Sequence, residues 1–247
     1  YPDDLSDKVV LVTGASSGIG AAIAILFSKE GANVAMVGRN QTKLDKVAKQ
    51  CPKPPLVINA DVSKLEEGKR IVEDTVKKFG KLDVLVNNAG LAKYGSVTNG
   101  NIVEAYDATF DVNVRAVLNI TTVARPYLIE TKGNIINISS VAAMMVTKDA
   151  SSLPYYMSKA ALDSFTKGLA LELSSSGVRV NSVNPGPVET DFLENAGIDL
   201  TFKSLAHLSP LNRVSDSEEI ADLVAFLASD KYVFIKYLSS VSVIQHS

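Results

Sequence analysis

The sequence is poor in cysteine and histidine, and this excludes two kinds of chemistry. Cys51 is the only cysteine among the 247 residues, so no intrachain disulfide can form, and we expect a free thiol in a reducing compartment. The two histidines, His207 and His246, lie far apart in the sequence, and no cluster of metal-ligating residues is visible. A metal centre is therefore not expected.

The chain also lacks runs of basic residues and long apolar runs, which excludes two classes of partner. Its 25 basic and 27 acidic residues give a formal net charge of −2 and a pI near 5.8. Nucleic acid and anionic membrane surfaces are thus not expected as main partners. No apolar run approaches the roughly 20 residues that span a bilayer, and the start YPDDLSD does not resemble a signal peptide. We expect a protein that works in solution, by default in the cytosol, with an organelle lumen left open.

Valine-rich segments and amphipathic segments alternate along most of the chain. With 46% hydrophobic residues and no linker, repeat or low-complexity tract, this pattern predicts a single α/β domain. A doubly wound parallel sheet of about seven strands, with helices on both faces, is the architecture that such alternation favours. The predicted strands are Val9–Thr13, Asn33–Val37, Leu56–Ala60, Val84–Asn87, Asn134–Ser139 and Val178–Val183, with a final strand around Val241 and Val243. The predicted helices are Ile19–Lys29, Thr42–Gln50, Lys64–Phe79, Asn101–Tyr127, Tyr155–Leu173 and Ser217–Ala228.

A glycine cluster follows the first predicted strand, in the segment VVLVTGASSGIGAA. A glycine-rich turn before a helix leaves backbone N–H groups exposed to an anion, most often a phosphate. A nucleotide triphosphatase loop needs Lys and then Ser or Thr after its last glycine, and this sequence has Ile19, Gly20 and Ala21 there. The spacing of Gly14, Gly18 and Gly20 differs from the Gly-x-Gly-x-x-Gly dinucleotide fingerprint only in loop length. On the glycines alone, an ordinary turn that needs positive φ angles stays an alternative.

Polar or glycine-containing stretches follow six of the predicted strands. In doubly wound sheets, ligands bind beyond the carboxyl ends of the strands, where the strand order reverses. We therefore expect these stretches to form one binding edge. The stretches are Gly14–Gly20, Gly38–Asn40, Asp61–Val62, Asn87–Gly90, Ser139–Ser140 and Asn184–Gly186.

Arg39 bears on the choice of dinucleotide. An acidic residue at the end of the second strand would bind the ribose hydroxyls of NAD, whereas an Arg there accommodates the 2′-phosphate of NADP. The second strand here ends in Val37, Gly38, Arg39 and Asn40, without a carboxylate. The sequence thus favours NADP(H), with NAD(H) possible. Two alternatives are that Arg39 is a solvated loop charge or that it stacks on the adenine and admits both cofactors.

Tyr155 and Lys159 lie four residues apart in PYYMSKAAL, so on a helix they share a face. A nearby ammonium favours phenolate, so this spacing predicts a tyrosine with a lowered pKa that exchanges protons near neutral pH. Tyr232 and Lys236 have the same spacing in KYVFIKYL, but no cofactor loop or partner hydroxyl accompanies them. Context therefore favours Tyr155.

The motifs TGASSGIG, NNAG, Ser140, YYMSK and NPGPVET occur in this order, and together they resemble the short-chain dehydrogenase/reductase family. The resemblance extends from about Leu5 to Asp230 and is closest to carbonyl reductases and 3-oxoacyl-acyl-carrier-protein reductases. It implies a Rossmann-like domain that transfers a hydride between a nicotinamide and a carbonyl or secondary alcohol. It also implies a homotetramer, in which the long helices around Asn113 and Tyr155 pack against those of a partner. Apolar residues on the second of these helices, Ala161, Leu162, Phe165 and Leu169, are compatible with such packing.

The same resemblance assigns roles to individual residues. Tyr155 would be the general acid/base, and Lys159 would lower its pKa and bind the nicotinamide ribose. Ser140 would hydrogen-bond the substrate oxygen, and Asn113 would hold a water that relays protons toward Lys159. Alternatively, Asn113 bonds a carbonyl of its own helix, and Asn88 caps backbone groups at the strand end. The implied cofactor contacts are Gly14, Ser16, Ser17, Gly18, Ile19 and Gly20 for the pyrophosphate, Arg39, Asn40, Asp61 and Val62 for the adenosine, Asn88, Ala89 and Gly90 along the cofactor, and Pro185, Gly186, Val188 and Thr190 by the nicotinamide.

The sequence departs from the family pattern in two places, and a third segment bears on the substrate class. The stretch MMVTKDASSLP, between Ser140 and Tyr155, is two residues longer than is usual, and its Met144 and Met145 favour a bulky apolar ketone or alcohol. The segment from Phe192 to Leu208 corresponds to the substrate lid of the family and is also largely apolar. The C-terminal FIKYLSSVSVIQHS lacks the usual turn glycine, which leaves the register of a final strand open.

Two other functions stay open, an NAD-linked alcohol or hydroxysteroid dehydrogenase and a non-catalytic protein that senses the dinucleotide.

Overall fold

A computed structural model describes residues 5–146, 152–195, 197, 201–209, 211–230 and 239–241. Seven parallel strands form one sheet in the order β3-β2-β1-β4-β5-β6-β7. The strands are β1 (Val9–Thr13), β2 (Asn33–Gly38), β3 (Leu56–Asn59), β4 (Val84–Asn87), β5 (Asn134–Ile138), β6 (Arg179–Asn184) and β7 (Ser239–Val241). The helices are α1 (Gly18–Lys29), α2 (Gln41–Ala48), α3 (Leu65–Phe79), α4 (Ile102–Phe110), α5 (Ala116–Thr131), α6 (Leu153–Leu173), α7 (Phe192–Asn195) and α8 (Ser217–Ala228).

Both faces of the sheet are covered, which explains why strands such as β1 and β2 are nearly continuous apolar runs. In β1, all five residues of VVLVT are buried. On one face of the sheet, side chains such as Val10 and Val12 pack with α1, α2 and α8. On the opposite face, Val9 and Leu11 pack with α3, α5 and α6. The result is the three-layer, doubly wound fold that the sequence pattern predicts.

Local signals account for the helix boundaries. Helix α3 has Glu66 and Glu67 in its first turn and Lys77 and Lys78 in its last, which complements the helix dipole. It ends at Gly80, whose φ of 84° is a left-handed conformation that suits glycine. No helix within the described residues is long and apolar enough to cross a membrane.

Two sequence predictions need correction. The single helix predicted for Asn101–Tyr127 is divided, because a π-helical turn at Asp111–Arg115 separates α4 from α5. Leu162 and Leu169, named above as candidates for packing between subunits, are buried in the core of the protomer. The predicted strands are confirmed to within one residue at either end, and Val241 lies in β7, whereas Val243 lies outside the described residues.

The strand order reverses between β1 and β4. Strands β2 and β3 extend the sheet to one side of β1, and β4 to β7 extend it to the other. Connections from neighbouring strands therefore leave in opposite directions at this point, and a crevice opens at the carboxyl edge. The glycine cluster after β1 and the NNAG segment after β4 flank that crevice.

Candidate active site

The glycine loop after β1 is packed tightly between two other segments of the carboxyl edge. Gly14 and Gly18 have φ angles of +68° and +54°, in the left-handed region that favours glycine. A Cβ atom on Gly14 would lie 2.8 Å from Cα of Ala89, and one on Gly18 would lie 2.8 Å from Cγ2 of Thr190. The loop is therefore bracketed by the segments that follow β4 and β6, and side chains at these two positions would collide with them.

Asn88 joins the NNAG segment to this loop. Its Nδ2 donates to the backbone oxygens of Thr13, at 2.9 Å, and Gly14, at 3.2 Å. The Thr13 hydroxyl accepts in turn from the backbone N–H groups of Asn88, at 3.0 Å, and Ala89, at 3.1 Å. The interpretation of Asn88 as a cap for strand-end backbone groups is thus confirmed, and Thr13 is a partner that the sequence analysis missed.

The start of α1 has the features of an anion site. Ser17 is the N-cap residue, and its side chain makes no capping hydrogen bond. Within the described part of the chain, the N–H groups of Gly18, Ile19 and Gly20 have no hydrogen-bond acceptor. Ser16 lies beside Gly38 at the end of β2, where a Cβ on Gly38 would be 3.2 Å from Cβ of Ser16. Unpaired donors at a helix N-terminus fit a phosphate-bearing ligand.

The ends of β2 and β3 bring Arg39 close to Asp61. The Arg39 side chain is exposed, and its backbone oxygen accepts from Nδ2 of Asn59 at 3.1 Å. Burial raises the pKa of the Asp61 carboxyl, but hydrogen bonds from Ser63 and the charges of Arg39 and Lys64 outweigh it, so the pKa is lowered. An ionised Asp61 and a cationic Arg39 thus lie at the same end of the crevice.

Two further predicted contacts at this end have structural roles. Asn40 caps α2, where its Oδ1 accepts from the N–H of Lys43 at 3.0 Å. Val62 is buried. The Lys43 ammonium also pairs with Asp191 at 2.5 Å, so α2 is tied to the segment after β6.

Tyr155, Lys159 and Ser140 meet beside the crevice. Ser140 follows β5 and caps a short 3-10 turn, where its Oγ accepts from the N–H of Ala142 at 3.1 Å. The hydroxyl of Tyr155, in the first turn of α6, forms a hydrogen bond with that of Ser140. Nζ of Lys159 lies 5.7 Å from the centre of the Tyr155 ring and donates to the backbone oxygen of Ile138 at 2.8 Å. The three predicted residues are therefore in one place.

The pKa of Tyr155 differs from the sequence prediction. Burial raises the pKa of the phenol to about 12, and the Ser140 hydrogen bond, which lowers it, is the smaller effect. Burial also lowers the pKa of Lys159 to about 8, against the opposing charge of Asp163. The expectation of a phenol pKa below its usual value is thus wrong for this structure, because burial outweighs the Ser140 hydrogen bond.

Asn113 lies in the π-helical turn and is buried. Its amide forms a pair of 2.9 Å hydrogen bonds with the N–H and C=O of Leu91, and Nδ2 also donates to the Ser158 hydroxyl at 2.9 Å. The Ser158 hydroxyl donates to the backbone oxygen of Tyr155 at 2.8 Å. The alternative that Asn113 bonds a carbonyl of its own helix was wrong. Instead, it links the segment after Gly90 to the start of α6, and Ser158 is a second residue that the sequence analysis missed.

The segment after β6 closes the other side of the site. The oxygen of Pro185 accepts from the N–H of Val141 at 3.0 Å, and buried Val188 forms a parallel bridge with Ser215. Gly186 lies between them, partly buried. Beyond Thr190, the ring of Phe192 lies 5.4 Å from that of Tyr155. The aromatic ring of Phe192 therefore borders the phenol of Tyr155.

The predicted apolar pocket is described only in part. Met144 is 52% exposed. Helix α7, at the start of the predicted lid, contains Phe192 and the buried Leu193. Residues 147–151 of the longer stretch lie outside the described residues, as do Ile198 and Leu200 of the predicted lid and the Tyr232 and Lys236 pair.

Comparisons with known proteins agree with this geometry. A family model described as enoyl-(acyl carrier protein) reductase matches residues 14–237. An uncharacterized oxidoreductase of Staphylococcus saprophyticus is 45% identical over 192 residues, which cover 76% of this chain and 81% of the relative. A short-chain dehydrogenase/reductase of unknown function from Caenorhabditis elegans, solved with cofactor, has a TM-score of 0.88 and 35% sequence identity. The match covers 96% of this chain and 93% of the Caenorhabditis elegans chain. The 3-ketoacyl-(acyl-carrier-protein) reductase of Brucella melitensis, solved with NADH, has a TM-score of 0.86 and 32% identity, with coverage of 95% and 97%.

Proposed function

The chain belongs to the short-chain dehydrogenase/reductase family, as an oxidoreductase that acts on CH–OH donors with a nicotinamide cofactor, and from this premise we propose that it is an NADPH-dependent reductase of apolar carbonyl compounds. The observation that carries the proposal is the hydrogen bond between the hydroxyls of Tyr155 and Ser140, with the Lys159 ammonium 5.7 Å from the centre of the Tyr155 ring. This group lies at the carboxyl edge that the glycine loop also borders.

The side chains of the site divide the proton chemistry between them. When bound, the nicotinamide supplies or accepts the hydride. In reduction, Ser140 donates a hydrogen bond to the carbonyl oxygen, and the O–H bond of Tyr155 breaks as its proton passes to that oxygen. The raised pKa of Tyr155, about 12, keeps the phenol protonated at neutral pH, which is the form that reduction needs. Oxidation of an alcohol follows the same steps in reverse.

Lys159 and Asn113 serve the phenolate that proton transfer leaves behind. With a pKa of about 8, Lys159 is mostly cationic at pH 7, so its charge stabilises the phenolate, whose ring centre lies 5.7 Å from Nζ. The Lys159 ammonium would also bind the nicotinamide ribose, as the family resemblance implies. Asn113 fixes the backbone of Leu91, the residue after Gly90, through two hydrogen bonds. Gly90 itself lies close to both groups, since a Cβ there would lie within 3.6 Å of the Asn113 amide and of the Lys159 ammonium. A water held in this region would return the proton to Tyr155 through Lys159.

Arg39 supports the preference for NADPH over NADH. Its exposed guanidinium lies at the end of β2, and the carboxylate that would repel a 2′-phosphate is missing from that strand end. The relative from Brucella melitensis was solved with NADH, so family membership by itself does not choose the cofactor. We expect Arg39→Glu to weaken binding of NADPH at least tenfold more than binding of NADH, because one charged contact is replaced by a repulsion worth about 1.4 kcal/mol or more. Equal losses for the two cofactors, measured by fluorescence titration, would refute the assignment of the 2′-phosphate to Arg39.

The apolar substrate class rests on the residues around the phenol. Met144 is half exposed, and the Phe192 ring packs 5.4 Å from Tyr155. Methionine and aromatic side chains suit a bulky apolar group and adapt to its shape. We propose small-molecule ketones, diketones or acyl thioesters as substrates, with the segment from residue 192 to residue 208 as the lid.

A homotetramer is also part of the proposal. Several large apolar side chains of α4, α5 and α6 are exposed on the protomer, and their burial would require a partner. These are Val103, Tyr106, Leu118 and Leu171, with exposed fractions of 66%, 38%, 40% and 79%. They take the place of Leu162 and Leu169, which pack in the protomer core.

The experiment that tests the function is the initial rate of NADPH oxidation against a panel of apolar ketones, diketones, steroids and acyl thioesters. Wild type, Tyr155→Phe and Tyr156→Phe are compared, and the last is the matched control because its ring lies 6.5 Å from that of Tyr155. We expect turnover that falls at least 100-fold in Tyr155→Phe and is retained in Tyr156→Phe, as loss of a general acid predicts. Binding of NADPH without turnover of any member of the panel, in either direction, would contradict the proposal and favour a dinucleotide-sensing protein.

A further inference from the structure

We infer that Asp163, a buried carboxylate on α6, is a positioning residue of the active site, which holds Ser140 through Asn184 and maintains the charge of Lys159. Asp163 follows Lys159 by one helical turn, and the two side chains are only 7% and 4% exposed. The inference rests on the proposed function, because Ser140 and Lys159 have their roles in that proposal.

A short chain of hydrogen bonds connects Asp163 to Ser140. Nδ2 of Asn184, at the end of β6, donates to Oδ2 of Asp163 at 2.8 Å and to the backbone oxygen of Ser140 at 3.1 Å. The Ser182 hydroxyl donates to Oδ1 of Asn184 at 3.0 Å. Since a carboxylate and a carbonyl both face the same amide nitrogen, the amide has one orientation that satisfies them. The carboxylate therefore fixes Asn184, and Asn184 fixes the backbone of the serine that bonds Tyr155.

A purely structural role does not explain a carboxylate at this position. Oδ1 of Asp163 is buried and has no hydrogen-bond partner among the described residues. A buried charge with one unsatisfied oxygen costs stability, and an apolar side chain of similar size would pack without that cost. The cost is compensated if the negative charge acts on a nearby cation.

Lys159 is that cation. Burial lowers its pKa to about 8, and the charge of Asp163 acts in the opposite direction. Of the other groups around the ammonium, Tyr155 on α6 is neutral at pH 7, and Ile138 and Gly90 present backbone. Asn113, from the π-helical turn, presents a neutral amide. Among the described residues, Asp163 is thus the charge that keeps Lys159 protonated near neutral pH.

The test separates the charge from the hydrogen bond. Asp163→Asn removes the charge and retains an oxygen that accepts from Asn184, whereas Asn184→Ala removes the link to Ser140 and retains the charge. Glu172→Gln is the matched control, because it removes an exposed charge from the same helix. The pKa of Lys159 is measured in the cofactor-free protein by NMR titration of 13C-labelled lysine, with the resonance assigned from Lys159→Met.

We expect Asp163→Asn to lower the pKa of Lys159 by about one unit, as loss of a nearby opposite charge does. At pH 7.5 the charged fraction of Lys159 would then fall from roughly three quarters to roughly one quarter, and the alkaline limb of the kcat profile would move to lower pH. Asn184→Ala should leave the pKa of Lys159 in place but lower kcat at every pH, because Ser140 is released. Asp163→Glu should restore the wild-type pH profile.

The inference is overturned if the pKa of Lys159 is the same in Asp163→Asn, Glu172→Gln and wild type. If Asp163→Asn does not fold, Asp163→Ser removes the same charge with a smaller side chain and is read by the same titration. Because the titration needs no turnover, it decides the role of Asp163 even if Tyr155→Phe shows that the proposed function is wrong. Conversely, a wild type that reduces ketones through Tyr155, with a titration unchanged by Asp163→Asn, would retain the function and reject the inference.

Discussion

Replacement of Gly20 by alanine tests how the active-site edge is packed. Gly20 is the third residue of α1, and a Cβ there would collide with the backbone oxygen of Gly14 and with Nδ2 of Asn88. The collision displaces an amide that donates to Thr13 and Gly14, and each such bond contributes about 1 kcal/mol. Overpacking adds about 1–3 kcal/mol, whereas the helix propensity of alanine returns at most about 1 kcal/mol. The sum predicts a loss of about 2–4 kcal/mol in the free energy of unfolding.

Gly168→Ala is the matched control for Gly20→Ala. Gly168 lies inside α6, and a Cβ there would have no atom within 4 Å among the described residues. Helix propensity alone then predicts a gain of about 1 kcal/mol. For a chain of this length we expect Tm to fall by roughly 4–16 °C in Gly20→Ala and to rise by roughly 2–4 °C in Gly168→Ala, both measured by calorimetry at one protein concentration. Equal Tm values for Gly20→Ala and wild type would refute the packing argument.

Two further predictions concern regions remote from the crevice. The Arg213 ion pair and a backbone N–H lower the pKa of Glu219 to about 2, so its contribution is complete above the unfolded pKa of about 4.3 and is lost as the pH falls toward 2. Because the pair is exposed, we expect Glu219→Gln to cost less than about 1 kcal/mol at pH 7 and nothing near pH 2, and urea unfolding at the two pH values checks this. Buried Arg179 donates to the backbone oxygens of Leu227, at 2.7 Å, and Ser229, at 3.2 Å, and so anchors the end of α8. Arg179→Met should therefore lower the free energy of unfolding by about 2 kcal/mol or more, and unchanged urea unfolding would contradict that anchoring role.

Much of the fold and the placement of the site could be predicted from local sequence patterns. Strands such as β1 and β2 are buried on both faces and are nearly continuous apolar runs, so their ends are marked by the first polar or glycine residues. Since all parallel strands point the same way, residues that follow them meet at one edge. This is why Ser140 and Tyr155 could be expected to lie together, although 14 residues separate them in the sequence.

Other features depend on contacts that sequence patterns do not encode. The π-helical turn at Asp111–Arg115 has no propensity signal in DVNVR, and it places Asn113 against Leu91 through tertiary hydrogen bonds. The pKa of Tyr155 could not be predicted in direction, because helical spacing indicates a nearby cation but not the degree of burial. Asp163, directly after the apolar segment AAL, was a signal, since a carboxylate on a buried helix face usually has a partner.

In the proposed reaction, a hydride passes between the nicotinamide and a substrate carbonyl while Tyr155 supplies the proton. The most direct measurement uses NADPH that carries deuterium at both C4 positions, incubated with the ketone that the panel identifies, and locates deuterium in the product by mass spectrometry. We expect one deuterium on the carbinol carbon with wild type and at least 100-fold less labelled product with Tyr155→Phe. A product without deuterium on that carbon, or equal labelling by the two proteins, would contradict this mechanism.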